Sequence, residues 1–211
     1  MLTLASGALA GFVHVLAGPD HLAAVAPLAI ADRRRGWYTG FTWGVGHTSG
    51  VVTVAALAVL LRDVLPPIHV IASWSERLVG GALIAVGFWA LRRALQIEHA
   101  VHTHQGIAHD HVHVQRGTIA RGAGHAHASF LMGVLHGIAG SSHFLGVLPA
   151  LALPTRAAAL TYVAAFGLAS ITAMAAFGAL VGATRGPRTH RALMFAASAM
   201  AFVVGGVWLI M

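Results

Sequence analysis

The chain has 211 residues, of which 57% are apolar and 9% charged, and a formal net charge of +7. A soluble domain of this length carries about a quarter charged residues, so the composition excludes one. The basic residues are all arginine, clustered between apolar runs rather than spread along one face, which argues against a nucleic-acid surface; the absence of cysteine removes disulfides and thiolate ligands.

The first apolar run, residues 3–31, is too long for a cleaved signal and lacks a basic leader, so it reads as a permanent span. It holds His14, Asp20 and His21, with Gly18-Pro19 between them. Proline removes a backbone hydrogen bond and clashes with the preceding turn, so a kink or unwound step is expected there. His14 and His21 are seven residues apart, nearly two helical turns, and share a face with Gly18. On a straight helix Asp20 would point about 120° away from His14, and a break can bring it round.

A second span is expected over 37–61, with His47 about 15 Å along it, near mid-membrane. Gly40-x-x-x-Gly44 and Gly46-x-x-x-Gly50 read as helix-packing seams. His69, beside Pro66 and Pro67, reads as a loop residue. A third span follows over 74–95. Beyond it, residues 98–127 hold His99, His102, His104, His109, His111, His113, His125 and His127, with Asp110 among them. Such spacing suits weak, fast-exchanging metal coordination on a disordered loop. The remaining spans are expected over 128–153, 156–183 and 190–211, with His190 a loop residue at the start of the last.

The fold class is therefore an all-α membrane protein with six transmembrane helices. Arginines cluster at 33–35, at 92–93 and at 185, 188 and 191, after spans one, three and five. The positive-inside bias places those loops, the histidine-rich one included, in the cytoplasm and both termini outside. The chain also repeats itself. Residues 11–27 match 133–149 at seven of seventeen positions without a gap, including His14/His136 and His21/His143. Trp43-Gly44 echoes Phe166-Gly167, and Val79-Gly80-Gly81 echoes Val204-Gly205-Gly206. Two three-helix repeats, 1–97 and 128–211, are expected around the loop at 98–127, and an odd span number inverts the second. Transporters built this way bind substrate near the midplane, where the halves meet.

Ionisable groups inside a membrane are costly and mark function. The candidate metal ligands are His14, Asp20, His21, His47, His136 and His143, with the loop histidines as weaker sites. Imidazoles with one carboxylate suit nickel, cobalt, zinc or copper(II).

His14-Val-Leu-Ala-Gly-Pro-Asp20-His21-Leu-Ala-Ala-Val, with Trp43-Gly-Val-Gly-His47-Thr, resembles the nickel/cobalt transporter superfamily. The closest likeness is to its short six-span branch of urease-accessory and nickel/cobalt efflux-type proteins. The resemblance implies that His14, Asp20 and His21 select the metal. Five residues separate His14 from Asp20 here, against four in the uptake permeases. A histidine-rich cytoplasmic loop is similar to that of family members that export metal.

The expected function is secondary transport of nickel or cobalt in a bacterial cytoplasmic membrane, with the cation as substrate, no tightly bound cofactor and no enzymatic activity. A metallochaperone is a candidate partner at the loop; nucleic acid is not. Two rival readings are a metal-sensing or metallochaperone-docking protein for urease or hydrogenase maturation, and a histidine-cluster membrane oxidoreductase.

Overall fold

A proline at the first position of a helix is tolerated, whereas one inside it removes a backbone hydrogen bond. In the computed structural model of the protein Pro19 takes the tolerated place, while Pro27 of the same apolar run lies inside a helix. Helix α1 (Leu2–Ala17) stops, Gly18 is extended (φ −85°, ψ 104°), and α2 (Pro19–Ala31) leaves at an angle of 71°. The structure describes the backbone of residues 1–32, 34–60, 68–104, 107–114, 123–139, 149–150, 152–184 and 186–210. Within these, side chains at 55–60, 68–73, 75, 97–104, 107–114, 123–125 and 187 are not described.

The chain continues through α3 (Gly36–Leu60), α4 (Ile68–Leu95), strands β1 (Ile97–His104) and β2 (Ile107–Val114), α5 (Ala123–Ile138), α6 (Arg156–Gly182) and α7 (Pro187–Ile210). Among the described residues, three helical segments are individually long and apolar enough to cross a membrane: Glu76–Leu95, Arg156–Gly182 and Arg188–Ile210. The bent α1–α2 pair is a fourth candidate. The apolar part of α5, Ala126–Ile138, is shorter, and the expected span at 128–153 runs on into residues outside the described set.

Helix α2 sits at the centre. Asp20, His21 and every residue from Ala23 to Ile30 are buried, as befits a helix that is apolar on nearly all sides. Around it α1 packs on α6, α3 packs on α5 and α6, and α4 packs on α7. Glycines set how close these pairs come. A Cβ at Gly7 or Gly11 would strike the carbonyls of Tyr162 and Phe166, and one at Gly133 or Gly137 those of Trp43 and His47. Gly80 and Gly205 meet each other's carbonyls in the same way. Apolar lipid supplies no hydrophobic drive for helix association, so such backbone approach and interhelical hydrogen bonds hold the bundle. Ser129 Oγ donates to the Thr39 carbonyl (2.7 Å) and Ser198 Oγ to that of Gly87 (2.9 Å).

Ile30 at the end of α2, Ala94 at the end of α4 and Met194 near the start of α7 share one apolar cluster. The arginines that follow α2, close α4 or open α7, namely Arg34, Arg35, Arg92, Arg93, Arg188 and Arg191, therefore gather at one end of the bundle.

Two expectations change. The segment after α4 was expected to be unstructured, yet its backbone forms an antiparallel hairpin in the register Ile97↔Val114 to His104↔Ile107. Its alternation of histidine with Val, Ile and Thr has the two-residue period of a strand. His69 and His190, expected in loops, lie in the first turns of α4 and α7, and His190 is buried.

Candidate metal centre

The break at Gly18 puts Asp20 and His21 in the first turn of α2, where they turn back towards the end of α1 and His14. Gly18 is required for a packing reason: a Cβ there would overlap the His21 ring. His47 enters from α3 and His136 from α5, brought in by the glycine-tight α3–α5 contact.

The four imidazoles form one assembly. Ring centroids are 4.8 Å apart for His14–His21, 5.1 Å for His21–His47, 4.9 Å for His21–His136 and 5.7 Å for His14–His47. Asp20 lies among them, its Oδ1 3.1 Å from His21 Nδ1 and its Oδ2 2.9 Å from His136 Nε2. Asp20, His21, His47 and His136 are buried, while His14 is partly exposed. A lone carboxylate so buried costs several kcal/mol, which the two imidazole hydrogen bonds offset.

Among the described residues, two groups of three have donor atoms mutually within 4.8 Å: His14, His21 and His47, and Asp20, His21 and His136. His21 belongs to both. Imidazole nitrogen and carboxylate oxygen together suit a borderline transition-metal dication better than a hard alkaline-earth ion, which takes oxygen ligands.

Aromatic rings wall the cluster. Trp43 stacks on His47 (4.9 Å, 9°), Trp208 on His136 (5.6 Å, 29°), and Phe166 lies 5.4 Å from His14. These rings were not anticipated. Trp43 stands one helical turn before His47, a spacing that signals contact along a helix face. Trp208 and Phe166 come from α7 and α6, and nothing local in the sequence connects them to the histidines.

His143 lies outside the described residues. For the hairpin histidines the backbone alone is described. Its register sets His102 opposite His109 and Ala100 opposite His111, so His102, His104, His109, His111 and His113 take positions on one face, and His99 and Asp110 on the other. His125 opens α5 with its side chain undescribed, and His127 is exposed, outside both of the three-residue groups above.

The fold and this cluster define a helical bundle with helices long and apolar enough to cross a membrane and a largely buried His/Asp centre. Comparison with known proteins agrees in part. The chain is 33% identical over 208 residues to two Arabidopsis thaliana proteins, Chloroplast protein FOR GROWTH AND FERTILITY 1 and 2. The matches cover 95% of this chain but 56% and 54% of theirs, so the chain spans about half the length of these curated relatives. It is 27% identical over 200 residues to Urease accessory protein UreH of Bacillus sp. (strain TB-90), covering 86% of this chain and 76% of that protein. No family model matches the chain, and no solved structure does.

Proposed function

We propose that this protein moves a transition-metal dication, nickel or cobalt, across a membrane through the centre formed by His14, Asp20, His21, His47 and His136. The observation that carries this reading is the convergence of four imidazoles and one carboxylate from four different helices in a buried core. Resemblance to a urease accessory protein supports it.

The bundle is read as six spans in two inverted three-helix repeats. Support comes from contacts that recur at repeat-related positions. Gly11 lies against the Phe166 carbonyl as Gly133 lies against that of Trp43, and Gly80 meets Gly205 at the join. Rocking of one half against the other would expose the centre alternately to each side. The common arginine end is assigned to the cytoplasm by the positive-inside bias. The membrane is bacterial or, following the plant relatives, chloroplast.

Purified protein in liposomes loaded with a metal-sensitive dye should admit Ni²⁺ or Co²⁺. His14→Ala and His21→Ala should lower the flux at least about 10-fold, the least that loss of even an outer-shell partner costs, while the protein stays folded. Undiminished flux in either variant refutes the site. A docking role for the histidine-rich hairpin is the second reading, favoured by the accessory-protein relative. Deleting residues 98–127 separates the two, since a transporter keeps its flux and a docking protein loses its function.

A further inference from the structure

The centre contains one carboxylate, and both of its oxygens already have partners. An ionised carboxylate only accepts hydrogen bonds. His21 therefore donates to Asp20 Oδ1 from Nδ1 (3.1 Å), and His136 donates to Oδ2 from Nε2 (2.9 Å). A neutral ring that carries its hydrogen on Nδ1 has its lone pair on Nε2, at the other side of the imidazole. For His21 this sets the donor atom and its direction away from Asp20. The His14–His21–His47 group shares no residue but His21 with the Asp20–His21–His136 group. It also includes the partly exposed His14, whereas the other three residues are all buried.

Within the transport reading, on which this rests, we propose that the cation binds the three imidazoles of His14, His21 and His47, and that Asp20 and His136 are positioning residues rather than ligands. Carboxylates that hold the far nitrogen of a metal-binding imidazole fix its tautomer and raise its basicity. Asp20 stands in that relation to His21, accepting its Nδ1–H. Three neutral donors also suit cargo that must be released again. Because His136 sits on α5 and stacks on Trp208 of α7, its bond to Asp20 couples the orientation of His21 to helices late in the chain.

X-ray absorption on Ni²⁺-loaded protein counts coordinated imidazoles, and equilibrium dialysis gives the affinity. Three rings are expected in the wild type, and two in His47→Ala or His14→Ala. Three should persist in His136→Gln, whose amide still donates to Asp20. Asp20→Asn should keep three rings but bind about 10–100-fold more weakly. If Asp20→Asn does not fold, the His136→Gln ring count decides alone. A fourth ring that disappears in His136→Gln, or unchanged affinity in Asp20→Asn, overturns the assignment. A folded wild type that binds no Ni²⁺ or Co²⁺ overturns the transport reading beneath it.

Discussion

At the scale of single residues the centre is held by contacts of very short reach. Trp43 is buried, its Nε1 makes no hydrogen bond among the described residues, and its ring lies nearly parallel to that of His47. Stacking rather than hydrogen bonding orients it. Binding of Ni²⁺ or Co²⁺ at His47 should quench tryptophan emission, and Trp43→Phe should remove most of that quenching, as a fluorescence titration would show. Gly18→Ala should be as damaging as loss of a ligand, because the new methyl enters the space of the His21 ring. The expected outcome is at least about tenfold weaker metal binding with unchanged helical circular dichroism. Imidazole coordinates only when deprotonated, so acidification should release bound metal and alkalinisation restore it. Metal retained equally at acidic and neutral pH in a dialysis series would contradict imidazole ligation.

At the scale of elements, the bend between α1 and α2 does the most for the site. On a continuous helix Asp20 faces away from His14; after a 71° turn both carboxylate oxygens lie within hydrogen-bond distance of imidazole rings. The Gly18-Pro19 step was legible as a break, because the effect of proline is local. Its angle was not, because that depends on what α2 packs against. Glycine positions follow the same division. Gly11→Val should cost several degrees of Tm in a thermal scan by driving a side chain into the Phe166 backbone. Gly81→Ala meets no atom of the described residues within 4 Å and should not lower Tm. The two glycines look alike in sequence, and the helix opposite each one separates them. The hairpin at 97–114 shows the converse: its histidine spacing suits metal donors on a loop, while the same two-residue alternation is that of a strand.

At the scale of the whole molecule, the gathering of Arg34, Arg35, Arg92, Arg93, Arg188 and Arg191 at one end permits a direct test of orientation. The native chain has no cysteine. Single substitutions Arg35→Cys, Arg92→Cys and Arg188→Cys should therefore all react with an impermeant thiol reagent from the same side of a sealed membrane vesicle. Labelling from opposite sides would break the proposed topology.

Composition and the length of the apolar runs determined by themselves that the chain favours a membrane, since hydrocarbon selects on residue character without regard to neighbours. The spacing of His14, Gly18, Pro19, Asp20 and His21 determined where a polar break would fall, for proline acts on its own turn. Tertiary structure alone decided that His47 and His136 join that break, that Asp20 bridges His21 and His136, and that Trp43 and Trp208 close over the rings. Those contacts join α2 to α3 and α5, and α5 to α7, across up to 116 positions of sequence. Their existence depends on how closely glycine-lined helices approach, a distance that no single helix specifies.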